Sequence, residues 1–496
     1  MGAAVEMEPL VIEARTVDAS GAAREAQARW SETPIAQRLA VLRRARHLLA
    51  ERVGLLCAAI SGELARTPAD TRVAEVLPLL DACRYLEREA AKILATRKLG
   101  RRGRPVWLAG VESEIQRVPY GQVLVIGPGN YPLLLPGVQT LQALAAGNAV
   151  VWKPGRGGRA VAEVFAAAMV EAGLARDLLT VTDESVVAAN EALAGRVNGV
   201  APGKVVFTGS AEAGRDVLHE LSKTATPCVV ELSGCDAVVA LPSADLTRLA
   251  QAIAFGMRLN GSATCMAPRR LVLVGASAER KAESIERLAA AMSGIGGVRL
   301  SEATARRLDW LLDEAVEQGA QVVGERAGLQ RPLLVTDVRA EMEIARADVF
   351  APVLMLLNAE TGNEAVAAVE ACPYGLTASI FGEEREARAM AARLTVGTVV
   401  INDVMVPTAD PRVPFGGRKG SGFGTTRGAQ GLLEMTAAKT VAARRGKGMR
   451  HYDATSVEHE GLFDGLILTL HAGTWAERWS GMKRIVAAAR VMGRDK

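Results

Sequence analysis

The sequence predicts an α/β protein built on mostly parallel sheets. Short apolar runs closed by glycine or proline alternate with longer helix-like stretches. Glycine is abundant, 49 of 496 residues, as a turn-rich chain requires. The 49% hydrophobic and 23% charged content is an ordinary globular balance, so the chain can bury a sizeable core.

Residues 22–66 and 71–97 read as helices rich in Ala, Leu and Arg, with a start signal at Ser31-Glu32-Thr33-Pro34. Residues 98–104 form a basic turn, and 105–119 a polar strand pair leaving the main body. The run 121–127 is a buried strand closed by Gly-Pro-Gly. A helix follows near 135–146, then strand 148–153, helix 159–172, strand 204–207, a helix near 212–223 and strand 227–232. Repeated units of this kind place ligands at the carboxyl ends of their strands. A second α/β region opens near Gly234. It has a helix around 245–259, a loop at Cys265, strand 270–274, helices over 278–292, and strands near 352–357 and 376–381; a glycine-rich segment, 414–424, lies beyond.

A net charge of +4 calls for no nucleic-acid partner. The six cysteines are scattered, and the five histidines show no metal-ligand spacing, so no metal is expected. The first residues lack a basic region followed by an apolar core, so no signal peptide is expected. No run is apolar enough for an integral membrane segment. A cytoplasmic, reduced protein is the expectation.

Several residues have the chemistry of a site. Thr208-Gly209-Ser210-Ala211-Glu212-Ala213-Gly214 follows a strand, and glycine there lets backbone approach a phosphate. Lys153 ends a strand, where it can meet a ribose hydroxyl or a phosphate; Arg156 and Arg159 add charge. Asn130, in Gly127-Pro128-Gly129-Asn130-Tyr131-Pro132, can donate to an oxyanion. Glu231 ends an apolar strand, where partial desolvation suits a general base. Cys265 has small residues upstream, leaving room for a substrate. Each has a plainer reading alone: a strand–helix turn, a surface lysine, a turn asparagine, a helix-start acid, a small buried thiol. Their order and spacing raise them together.

That order resembles the aldehyde dehydrogenase superfamily, in its hydrolytic, non-acylating branch, over roughly residues 20–440. The loop of Asn130 is similar to the family's oxyanion-hole loop, Trp152-Lys153-Pro154 to its ribose-binding strand end, and Phe207–Gly214 to its nicotinamide-cofactor turn. Glu231-Leu232-Ser233-Gly234 is similar to its glutamate motif, with Ser for the usual first Gly, and Thr264-Cys265-Met266-Ala267-Pro268-Arg269 to its nucleophile motif. Asp348-Val349-Phe350-Ala351-Pro352 stands where Glu-x-Phe-Gly-Pro is usual, and Pro414–Gly422 is similar to the late glycine motif.

The resemblance implies oxidation of a small-molecule aldehyde to a carboxylic acid. Cys265 is the implied nucleophile, Asn130 the oxyanion donor and Glu231 the base. Gly127, Pro128, Lys153, Arg156, Gly209, Ser210, Gly214, Leu232, Asp348 and Phe350 are the implied cofactor contacts. Arg156 replaces the glutamate of many NAD-preferring relatives and suits a 2'-phosphate, so the reading leans to NADP while keeping NAD. Asp348 is one methylene shorter than the usual glutamate. An acylating semialdehyde dehydrogenase and a catalytically silent scaffold are the alternatives.

The implied fold is aldehyde dehydrogenase-like. N-terminal helices and a Rossmann-like cofactor domain take 1–104 and 120–232, an oligomerisation hairpin 105–119, and a catalytic domain 233–405. Residues 406–440 return to the cofactor domain, and 441–496 extend past it. A homodimer or homotetramer is implied. In the extension Trp475, Trp479, Met482 and Val486 make one apolar helix face. It is open to packing on the protein or its dimer mate, to capping the substrate mouth, or to lying on a membrane. Tyr131, Met257 and Phe423 are expected to border the entrance, which would suit an aromatic or medium aliphatic aldehyde.

Overall fold

Gln122–Ile126 is five apolar or neutral residues buried on both faces, as a central parallel strand must be. In the computed structural model it anchors a six-stranded sheet. Residues 19–60, 62, 64, 66–324, 329–445, 452 and 454–492 are described. The sheet order is Gly422–Phe423, Cys228–Glu231, Lys204–Thr208, Gln122–Ile126, Ala149–Lys153, Leu179–Val181. All neighbours are parallel except Gly422–Phe423, which runs antiparallel to Cys228–Glu231. The chain steps outward from Gln122–Ile126 through two strands and then returns to its other side at Lys204–Thr208. That reversal leaves a crevice at the carboxyl ends of the two central strands.

Helix Leu134–Ala145 is buried on nearly every side, its polar Gln139, Thr140 and Gln142 included, and lies against this sheet. Helices Ile35–Glu51 and Leu77–Ile93 close over it through Leu42, Leu49, Leu79 and Leu86. The signal at Ser31–Pro34 marks a boundary between two helices: Ala19–Glu32 ends there and Ile35–Glu51 begins.

The second sheet has seven strands in the order Gln321–Val323, Leu333–Thr336, Val353–Ala359, Pro268–Val274, Asp236–Ala240, Thr377–Phe381, Thr398–Ile401. Only Gln321–Val323 is antiparallel to its neighbour. Helices Leu246–Arg258 and Ala278–Met292 bury Ile253, Met257 and Leu288 on one face. Helices Glu302–Glu317, Gly362–Glu370 and Glu384–Ala391 cover the other face.

The chain divides into two compact units, Met1–Arg97 with Ile115–Thr440 and Lys98–Glu114 with Val441–Lys496. Both sheets above belong to the first. Where a strand pair was expected within 105–119, there is a short 3-10 turn, Val106–Leu108, and one strand, Val111–Pro119. Pro105 and Gly110 bracket that turn, so the segment is too short for two strands. The strand instead sits between Arg97–Lys98 and Thr436–Arg444 in a three-stranded sheet. In the second unit Val457–His471 and Trp475–Met492 form a helix pair. A Cβ on Gly465 would stand 2.8 Å from the Gly481 carbonyl oxygen, so glycine lets these helices touch backbone to backbone. Trp475 is 86% and Trp479 60% exposed on the side away from Gly481. The expected basic link is described only at Arg444 and Arg445; 446–450 lie outside the described residues. Among the described residues no helix is long and apolar enough to cross a membrane.

Candidate active site

One cavity of about 1190 Å³ opens at the crevice. Asn130, Glu231 and Cys265 all line it, although they are far apart in sequence. Glu231 arrives at the carboxyl end of its strand, as parallel-sheet logic expects. Cys265 does not. Its loop leads into Pro268–Val274 and so sits at the amino edge of the second sheet. The site lies between the carboxyl ends of one sheet and the amino ends of the other.

The Cys265 loop is held tightly. Asn260, Gly261 and Ser262 take φ of 54°, 57° and 65°, a left-handed run that costs energy at the two side-chain-bearing positions. Arg269, fully buried, compensates by tying the loop down. It donates to Ser262 Oγ at 2.6 Å, to the Ser262 carbonyl at 2.6 Å and to the Ala351 carbonyl at 2.8 Å. Asn130 Nδ2 donates to the Ala263 carbonyl at 2.9 Å, and the Tyr131 hydroxyl bonds Thr264 Oγ1 at 2.9 Å. Asn130 is therefore two residues from Cys265 by direct contact. Its own loop is set by a buried pair that sequence reasoning missed: Arg66 bonds Glu75 at 2.8 Å and reaches the Asn130 carbonyl at 3.3 Å. Glu75 in turn accepts from Leu133 N and Leu134 N, at the start of helix Leu134–Ala145.

Glu231 is buried at the end of a hydrogen-bond line. Gln139 donates to Thr208 Oγ1 at 3.3 Å, and Thr208 donates to Glu231 Oε2 at 3.3 Å. Thr426 Oγ1 donates to Glu231 Oε1. Burial raises the Glu231 carboxyl above its ordinary range; the Thr426 bond, the Arg427 charge and the Thr208 bond oppose it. Cys265 is half-buried. Burial pushes its thiol up, Asp236, Glu231 and Asp348 push it further, and Arg427 pulls it back. The glycine at 234 lets these two halves meet: a Cβ there would stand 2.7 Å from the Cys265 carbonyl oxygen.

Of the expected cofactor residues, Pro128, Gly209, Ser210, Leu232, Asp348 and Phe350 line the cavity, while Gly127, Lys153, Arg156 and Gly214 do not. Ser210 caps helix Ala211–Ser222 by accepting from Ala213 N, and Gly209, Ser210, Ala211, Glu212 and Arg215 line the cavity. The amides of Ala211 and Glu212 have no intrahelical partner, and a helix start of this kind could hold a diphosphate. A Cβ on Gly214 would stand 2.4 Å from Leu232 Cδ2, so this helix start closes against the Glu231 motif only with glycine there. A cavity larger than the ~300–1,000 Å³ of one small ligand has room for cofactor and substrate together. Gly127 and Lys153 pair at the ends of adjacent strands, through Gly127 N to Lys153 O at 2.9 Å. Lys153 is buried, which lowers its ammonium pKa against the pull of Glu184 and Asp183. Arg156 is exposed just beyond it. The Asp348 carboxylate accepts from Phe350 N at 3.2 Å. Burial raises its pKa, and Arg269 opposes.

Of the three expected entrance residues only Tyr131 lines the cavity. Met257 is fully buried in the core of the second sheet, on the inward face of its helix, and Phe423 is half exposed on an edge strand. Pro78, Leu134, Phe255, Met405 and Phe415 form apolar wall instead. Arg427 also lines the cavity, and no sequence motif had singled it out. Among the described residues no group of acidic, Cys or His side chains could hold a metal.

The comparisons agree with this geometry. The model of the aldehyde dehydrogenase family matches residues 9–441. A 4,4'-diapolycopene aldehyde oxidase of Methylomonas is 29% identical over 83% of this chain and 78% of its own length. A succinate-semialdehyde dehydrogenase [NADP(+)] of Deinococcus radiodurans is 30% identical over 84% of this chain and 88% of its own. The crystal structure of an NAD-dependent aldehyde dehydrogenase from Sinorhizobium meliloti superposes with a TM-score of 0.80 at 26% identity, covering 88% of each chain. With a cysteine, an acid and an amide lining one cavity, the chain belongs to the aldehyde dehydrogenase family and is an NAD(P)-dependent enzyme of that class.

Proposed function

We propose that the enzyme oxidises an apolar aldehyde to its carboxylic acid through a covalent bond to Cys265. The observation that carries this reading is the convergence of Cys265, Glu231 and Asn130 on one cavity from three separate segments. The Cys265 thiolate adds to the aldehyde carbon, forming a thiohemiacetal. Asn130 Nδ2 has a second N–H besides the one given to Ala263, and with the Cys265 amide it holds the oxyanion. NAD(P)+, when bound, supplies the two-electron oxidation that makes a thioester of this adduct. Glu231 then takes a proton from water, which attacks the thioester carbon; the carboxylic acid leaves and the thiol is restored. A raised carboxyl pKa suits that role, since a more basic carboxylate takes a proton from water more readily. A water-activating Glu231 favours the hydrolytic over the acylating branch.

Gly209, Ser210 and Gly214 hold the diphosphate in this reading, Lys153 and Arg156 the adenine-side ribose. Gly127, Pro128, Leu232, Asp348 and Phe350 border the nicotinamide side. The choice of NADP rests on Arg156. The apolar wall supports an aromatic or aliphatic aldehyde. The exposed Trp475 and Trp479 support a homodimer or homotetramer. The test is turnover of an aldehyde panel with NAD and NADP in parallel, each with and without coenzyme A as acyl acceptor, with products identified. The expected result is free acid, faster with NADP, and abolished in Cys265→Ser. Unchanged turnover in that variant would sink the reading; acyl-thioester as product would replace it with the acylating one.

A further inference from the structure

Arg427 stands at the join of the two segments that touch Glu231 and Cys265. Its neighbour Thr426 donates to the Glu231 carboxylate. Its own Nη1 donates to the Thr408 carbonyl at 2.6 Å, and the Thr408 hydroxyl contacts Sδ of Met266, next to Cys265, at 3.6 Å. The guanidinium lies over the Phe415 ring, 4.5 Å from its centroid. The residue is 8% exposed, and its Nε has no hydrogen-bond partner among the described residues. Its backbone φ is +58°, a setting that side-chain-bearing residues rarely adopt. An incompletely paired buried cation held in a strained backbone is unfavourable unless anions form beside it. In the proposed reaction two do: the Glu231 carboxylate and the Cys265 thiolate.

We propose that Arg427 is a positioning residue that, from the wall of the cavity it shares with Glu231 and Cys265, draws both groups toward their charged forms. This rests on the reading of Cys265 as nucleophile and Glu231 as base. The other groups acting on the thiol are Asp236, Glu231 and Asp348, all acidic, together with Tyr131 and the buried Arg269. Arg427 is the charge that favours the ionised form of both Glu231 and Cys265.

The test is alkylation by iodoacetamide, read by mass spectrometry on the Cys265 peptide from neutral to alkaline pH. Wild type, Arg427→Lys, Arg427→Gln and Cys265→Ser are compared, each checked for an intact thermal transition. Arg427→Gln is expected to slow alkylation near pH 7 about tenfold and move the midpoint up by about one unit. Arg427→Lys keeps the charge and most of the rate. Should the Gln variant fail to fold, Arg427→His replaces it, with reactivity falling as the imidazole loses its proton. An unchanged profile in folded Arg427→Gln overturns the role of Arg427 alone, as do equal changes in Lys and Gln. A wild-type Cys265 no faster than the other thiols overturns the nucleophile reading and Arg427 with it.

Discussion

Asp236 begins a central strand, and its buried carboxylate accepts from Thr377 N at 3.1 Å and from the Thr377 hydroxyl. Burial pushes its pKa up to about 7, against the Thr377 bonds and the Arg270 charge. A carboxyl whose folded pKa is raised favours the native state below its unfolded pKa, and that favour is lost as pH rises through the folded value. The window here runs from about 4 to about 7. Asp236→Asn is therefore expected to match wild type in acid and to be more stable by ~4 kcal/mol above pH 8. Thermal unfolding at both pH values measures it; a gap that stays constant would contradict the assignment. At this scale the sequence was legible where chemistry sits in a short run, as in Glu231-Leu232-Ser233-Gly234 or Thr264-Cys265. It was not legible where roles arise from contacts between distant segments. Thr426 and Arg427 look like any turn before Gly428, and Glu75 like a helix acid. Only folding brings them to Glu231 and to the start of helix Leu134–Ala145.

The late glycine segment matters as an element because its strand lies on the strand of Glu231. Gly422 pairs with Glu231 and Phe423 with Val230. Gly422 has a φ of +100°, and a Cβ there would stand 1.9 Å from the Val230 carbonyl oxygen. Gly422→Ala is expected to destabilise by ~3 kcal/mol, seen as a lowered thermal midpoint, with activity lost in parallel. An unaltered midpoint would mean that the edge strand is dispensable. Strands buried on both faces announced themselves as apolar runs: Gln122–Ile126, Ala149–Lys153 and Lys204–Thr208 fall where periodicity puts them. Short edge elements did not, because their partners lie far along the chain. Residues 105–119 look like a local hairpin, yet the strand Val111–Pro119 finds one neighbour in Thr436–Arg444. The loop of Cys265 ahead of its strand was legible, but a parallel repeat does not reveal which sheet turns its amino edge to the site.

For the whole molecule, the described residues that line the cavity fall between Asp70 and Arg427 and belong to the first compact unit. Removing residues 446–496 is thus expected to leave kcat/KM within about twofold of the full chain. A large loss in steady-state assays would give the extension a part in turnover. The two-sheet arrangement of the site also bears on how such enzymes can be recombined. Lys153 and Arg156, proposed above to set cofactor preference, lie at the end of a strand of the first sheet, and Cys265 lies ahead of strand Pro268–Val274 of the second. Swapping halves between relatives at Gly234 looks natural, but the Gly422–Phe423 strand belongs with the first half although it is encoded after the second. A working chimera therefore needs two splice points, so that the donor's late glycine segment travels with its own glutamate strand.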